Sequence, residues 1–113
     1  MNDCLFCKII NKNIPAELLY EDDQIIAFSD INPQAPVHFL LIPKEHINSA
    51  MDINKDNKDL IGHIFYVASK LAKDEGLENG YRIVNNCKDD GGQSVDHIHF
   101  HVLGGRQMLW PPG

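Results

Sequence analysis

His97-Ile98-His99-Phe100-His101-Val102-Leu103 is the stretch on which the reading of this chain turns. In an extended strand, residues two apart share a face and stand about 6–7 Å from each other. His97, His99 and His101 therefore line one face, and Ile98, Phe100 and Val102 point the other way, into a core. An imidazole row admits two readings: a metal site, or a set of neutral nucleophiles and proton carriers. The residues before it favour the second. Gly91-Gly92-Gln93-Ser94 is a loop whose glycines let backbone N–H groups converge on an anion, and Asn86 adds a neutral donor. An anion-binding loop running into an imidazole row suits a phosphate ester better than a bare metal.

Working outward, Tyr81–Val84 reads as the strand before that loop, and Asn85–Gln93 as a polar connection. Leu60, Ile61, Ile64, Phe65, Val67, Ala68, Leu71 and Ala72 recur at the helical period and predict a long helix with one wide apolar stripe. Asp56 and Asp59 near its start and Lys70 and Lys73 near its end complement the helix dipole, and Gly76 is placed to stop it. Val37–Ile42, closed by Pro43, reads as an apolar strand interrupted only by His38. Asp30-Ile31-Asn32-Pro33-Gln34-Ala35-Pro36 is a turn, since its prolines cannot donate to a ladder. Leu18–Tyr20 and Ile25–Phe28 around a polar stretch predict a β-hairpin. Cys4–Ile10 predicts a short helix with Asp3 or Asn2 as its cap. The expectation is one α+β domain spanning residues 1–113.

Composition excludes several classes. At 113 residues there is room for one core and little else. A net charge of -6 argues against a general nucleic-acid partner, which needs a basic face. No apolar run approaches a membrane span, so no membrane partner is expected. The start Met1-Asn2-Asp3-Cys4 has no basic n-region followed by an apolar stretch, so no secretory signal is expected. Three cysteines without such a signal read as thiols or metal ligands of a cytoplasmic protein.

The histidine strand resembles the signature of the histidine triad (HIT) superfamily. Asp30–His38, Pro43-Lys44-Glu45-His46, Gly91-Gly92-Gln93-Ser94-Val95 and Gly104–Gly113, ending Trp110-Pro111-Pro112-Gly113, extend the resemblance to the Hint branch, the histidine triad nucleotide-binding proteins. The resemblance implies an antiparallel five-stranded sheet with one short and one long helix, assembled as a homodimer. It implies a hydrolase that cleaves the P–N bond of purine nucleoside 5′-phosphoramidates and aminoacyl adenylates, releasing AMP or GMP. His99 matches the nucleophile that takes up the nucleotidyl group. His101 and Asn86 match residues holding the α-phosphate, with Gly92, Gln93 and Ser94 around it and Ser94 near the leaving group. Asp30 matches the acid on the ribose hydroxyls, with Ile31 beside it. Phe6, Ile9 and Phe28 match the walls of a purine pocket, and His38 a buried partner in the relay behind the nucleophile. Alone, those three apolar residues would read as plain core, His38 as a satisfied buried histidine, and Asp30 as an Asx-turn former. Two positions depart from the pattern: Asp96 stands where an aromatic residue is common, and Leu109 where close relatives often have histidine. A dinucleoside polyphosphate hydrolase, or a non-catalytic nucleotide-binding adaptor, would use the same residues.

Cys4-x-x-Cys7 is half of a tetrahedral zinc site. Some microbial-type members of the family complete it with the histidine of the Pro-Lys-x-His turn and the first triad histidine, here His46 and His97. Two thiolates and two imidazoles form a closed, structural zinc set with no position open for water. Cys87 and His63 receive no role from the sequence.

Overall fold

The computed structural model describes residues 4–113. Helix α1 is Leu5–Ile10, followed by strands β1 Leu18–Glu21, β2 Ile25–Ser29 and β3 Val37–Pro43. A single 3-10 turn, Ala50–Asp52, precedes helix α2, Lys58–Asp74; then come β4 Tyr81–Val84, helix α3 Lys88–Gly91 and β5 Phe100–Gly104. The strands form one antiparallel sheet in the order β1-β2-β3-β5-β4. This is the α+β architecture expected, with the four-residue α3 added where a loop is predicted.

Strand periodicity sorts the side chains onto two faces. Ile25, Ala27, Phe39, Leu41, Phe100 and Val102 meet Ile64, Val67, Ala68 and Leu71 of α2 in one buried cluster. The alternate residues Ile26, Phe28, Leu40 and Ile42 meet Phe6 and Ile9 of α1 in a second. The sheet is thus covered by α2 on one side and by α1 on the other, and His38, His97, His99 and His101 lie on the α1 side.

Helix α2 ends as its sequence predicts. Gly76 takes φ 78°, its N–H donates to the Lys73 carbonyl, and the Leu77 N–H reaches back to Ala72, which is the Schellman arrangement. Leu77 is then laid over β5: a Cβ on Gly104 would meet its terminal methyls at 2.7 Å, so a larger residue at the strand end would push Leu77 aside. The cap of α1 differs from expectation. Cys4 is the N-cap and its sulfur accepts the Cys7 N–H; Asn2 and Asp3 lie outside the described residues.

The last strand also starts later than the alternation predicts. Register pairs Leu41 with Phe100, so the next pairing toward the triad would bring Ile98 opposite Pro43, which has no N–H to give. The ladder stops, and the Ile98 N–H donates to the Ile47 carbonyl instead. His97 and His99 therefore sit on a segment freed from the sheet. Their alternation survives: Ile98 joins the α2-side core.

Candidate active site and metal centre

The three triad histidines do three different things, each fixed by what faces the second ring nitrogen. His97 is wholly buried. Its Nε2 lies 2.8 Å from the Pro43 carbonyl, an acceptor only, so Nε2 carries the proton and Nδ1 is a bare lone pair. That lone pair faces Cys4 Sγ at 3.4 Å and Cys7 Sγ at 3.7 Å. His46 repeats the logic: Nε2 donates to Asn48 Oδ1 at 2.7 Å, and Nδ1 faces Cys7 Sγ at 3.3 Å. The four ligand atoms lie within 4.8 Å of one another. Outer partners that pin the ring tautomer are the usual companions of a metal-bound histidine. Burial pushes the His97 ring down to about 4, which keeps it neutral, as a ligand must be. The donor chemistry and these tautomers fit zinc.

His99 is buried, and its Nδ1 donates to the His97 carbonyl at 2.7 Å. This leaves Nε2 unprotonated. Burial also holds the ring below its ordinary value. Phe6 packs edge-on against it with centroids 5.0 Å apart. The Asn85 side chain donates to the His99 carbonyl at 2.9 Å, fixing the backbone on the other side. No sequence signal distinguishes that role from its neighbour Asn86.

His101 is oriented from behind. The Gln34 backbone N–H donates to His38 Nδ1 at 3.0 Å, so the neutral His38 ring carries its proton on Nε2. That proton is given to His101 Nδ1 at 2.9 Å. His101 then holds its own proton on Nε2, a donor. Burial lowers both rings, His101 to about 4, so the pair is neutral near pH 7. Asp30 is divided between two tasks: Oδ1 accepts the Asn32 N–H at 2.8 Å in an Asx turn, and Oδ2 lies 3.4 Å from His38 Nε2 and 3.9 Å from His101 Nδ1. Asp30, His38 and His101 resemble a metal triad in spacing. A cation on His38 Nε2 would leave that ring with no proton, because Nδ1 already accepts. The set is a hydrogen-bonded chain of Asp30, His38 and His101. His38 thus touches His101, and reaches His99 only through it.

The other sequence candidates fall into place unevenly. Phe6, Ile9 and Phe28 are core residues of the α1 side, and of these Phe6 alone has a ring packed on the triad. Ile31 is fully exposed beside Asp30. The Gln93 side chain is spent on its own loop: Nε2 donates to the carbonyls of Asn48 and Val95, and Oε1 accepts the Lys88 N–H. Its backbone N–H is also taken, by the Lys88 carbonyl at 3.0 Å. Gly92 takes φ 76°, as expected of a loop glycine. Among the described residues no hydrogen bond joins Asn86, Gly92 or Ser94 to the histidines. Ser94 and Asp96 line one cavity with Cys4 and His46.

His63, unassigned by sequence, bonds Asp22 across 2.7 Å and ties α2 to the β1–β2 turn. Burial acts to raise the Asp22 carboxyl. The His63 ring, the Gln24 and Ile25 N–H groups and the Tyr20 hydroxyl override it and hold the group well below the carboxylate range.

With this geometry in view, the kinship is clear. The HIT domain family matches residues 11–108. The chain belongs to the HIT domain family. It is 51% identical over 111 residues to a 14 kDa zinc-binding protein of Zea mays, covering 96% of this chain and 87% of that one. The crystal structure of a HIT family hydrolase from Legionella pneumophila Philadelphia 1 superposes with TM-score 0.96 at 56% identity, covering 98% of this chain and all of the other. A histidine triad nucleotide-binding protein from Candida albicans superposes with TM-score 0.83 at 34% identity, over 96% of this chain and 83% of that one. In this HIT domain chain, no helix among the described residues is long and apolar enough to cross a membrane.

Proposed function

We propose that this HIT domain protein is a nucleotide hydrolase that cleaves the P–N bond of purine nucleoside 5′-phosphoramidates and aminoacyl adenylates through a nucleotidyl-histidine. The observation that carries the reading is the 2.7 Å bond from His99 Nδ1 to the His97 carbonyl, which leaves a neutral nucleophilic nitrogen at Nε2. The names of the Legionella and Candida relatives favour the class.

His99 Nε2 attacks the α-phosphorus; the phosphorus–nitrogen bond breaks as the leaving amine takes a proton from the Ser94 hydroxyl, which the resemblance places beside it and which solvent reprotonates. Water then attacks the same phosphorus, the His99–phosphorus bond breaks, and a nucleoside monophosphate leaves. Charge on the equatorial oxygens is met by His101 Nε2–H, Asn86 and the Gln93–Val95 turn, where the Ser94 and Val95 backbone N–H groups serve because that of Gln93 already donates to the Lys88 carbonyl. Asp30, having one oxygen free of the Asx turn, holds the ribose, beside Ile31. Phe6, Ile9 and Phe28 wall the base. Cys4, Cys7, His46 and His97 hold zinc, which supplies structural cross-linking of α1 to the sheet. The same reading makes the protein a homodimer; β4 is an edge strand, and Leu109 and Trp110 stand largely exposed.

The test mixes the protein with adenosine 5′-phosphoramidate and follows AMP release. A polyphosphate leaving group would bring negative charge toward Asp96, and such like-charge repulsion raises its barrier. The amidate is therefore expected to have a much larger kcat/KM than diadenosine triphosphate. Equal or better cleavage of the dinucleotide would overturn the assignment. Turnover in a His99→Ala protein near the wild-type rate would remove the covalent step.

A further inference from the structure

The metal centre and the nucleophile are built from the same pieces. His97 offers its ring to Cys4 and Cys7, and its carbonyl accepts the His99 Nδ1–H at 2.7 Å. Phe6 lies in sequence between the two cysteines. Its ring meets His97 edge-on at 5.9 Å and His99 edge-on at 5.0 Å. Helix α1 has six residues, far below the length at which a helix holds itself in water. What docks it is the burial of Phe6 and Ile9, to which ligation of a metal by Cys4 and Cys7 would add. Both contacts that orient the His99 ring, one from a carbonyl and one from an aromatic edge, thus come from residues that a bound metal would tie down.

We infer that the Cys4–Cys7–His46–His97 centre positions the nucleophile, through the His97 carbonyl and the Phe6 ring, so that metal status sets the turnover number as well as stability. The inference rests on the reading of His99 as nucleophile. In-line attack on phosphorus tolerates little misplacement, and a shift of about 1 Å in a reacting group can cost 10²-fold. The residues assigned to the phosphate and ribose lie on other segments, while Phe6 and Ile9 of α1 also wall the base, so AMP affinity is expected to fall too, but by less than kcat.

The experiment uses the full chain loaded with cobalt in place of zinc, whose visible spectrum reports thiolate ligation. Phe6→Leu is expected to keep that spectrum and, because the ring also walls the base, to bind AMP more weakly, while kcat for the amidate at saturation still falls about tenfold or more. Chelator-stripped wild type, shown folded by circular dichroism, is expected to show a similar fall in kcat, larger than its loss of AMP affinity. Stripping the Phe6→Leu protein is expected to cost less than stripping wild type, because part of the same coupling is already gone. Stripped, folded wild type that turns over at the loaded rate overturns the inference. So does a Phe6→Leu protein whose KM rises with kcat intact, since the ring would then be only a wall for the base. If stripping unfolds the chain, the cobalt-loaded Phe6→Leu protein decides alone. A parallel His99→Ala sample separates the two claims. Turnover in it removes the nucleophile, whereas a dead His99→Ala protein beside an unimpaired stripped wild type removes only the coupling.

Discussion

Replacing His38 with alanine tests the relay most directly. His38 is almost fully buried, accepts the Gln34 N–H on one nitrogen and donates to His101 Nδ1 at 2.9 Å with the other. Alanine removes that donor, and His101 is then free to carry its proton on Nδ1, turning a bare lone pair toward the phosphate. The site would lose one preorganised donor to the developing charge. Removal of such a donor costs about 10²–10³ in kcat, about 2.7–4 kcal/mol. His38 acts one residue behind the donor, so the expected loss is at the lower end, about 10²-fold, with KM little changed. Alanine also leaves a hole in a packed wall, so a loss measured alone would mix the missing donor with weakened folding. His38→Gln separates the two effects: its amide restores volume and places an N–H donor near the lost Nε2–H. It is expected to recover most of the rate. The assay is steady-state release of AMP from the amidate, with thermal melting as the control for folding. A folded His38→Ala protein whose kcat stays within about threefold of wild type would refute the reasoning, because no donor would then depend on His38.

Three further outcomes follow from the same geometry. His38 and His101 are held below their ordinary values by burial, His101 at about 4, while in the unfolded chain each titrates near 6.5; the unfolded state therefore binds protons that the folded state refuses, and the melting temperature should fall as pH drops from about 6.5 toward 4. A melting temperature that rises over that window would contradict the buried neutral pair. His63→Ala removes the 2.7 Å bond to Asp22 at a partly exposed site and should cost about 1 kcal/mol, a drop of roughly 4–8 °C, with kcat for the amidate unchanged. Metal analysis should give about one zinc per chain, and a Cys4→Ser, Cys7→Ser double variant should lose the metal and melt earlier; stoichiometric zinc persisting in it would place the metal elsewhere, on the histidine strand.

The sequence alone determined the periodic features. Alternation around Ile98, Phe100 and Val102 and the apolar stripe of α2 require only that side chains repeat every two or every 3.6 residues, and both are found as read. The Gly76 stop was legible because a left-handed C′ residue is a local matter. The late start of β5 was not, because it depends on which residue of β3 faces Ile98, and register is a property of two strands. The Cys4 cap and the short α3 were missed because capping there rests on a sulfur and on a four-residue turn, both weak signals in a chain read singly. Likewise His63 found its partner, Asp22, 41 residues away.

The candidate site shows the same division more sharply. Three identical side chains at positions 97, 99 and 101 could be placed on one face from sequence, but what each ring does could not be read from its residue type. The Pro43 carbonyl fixes His97 as a bare donor toward the cysteines, the His97 carbonyl fixes His99 with a free Nε2, and His38, itself set by the Gln34 N–H, fixes His101 as a proton donor. An imidazole has two nitrogens and, when neutral, one proton, so its chemistry is decided by whichever group occupies the other nitrogen. Except for His99, which is held by the carbonyl two residues earlier in its own segment, those groups come from segments remote in sequence, and only the folded chain brings them there.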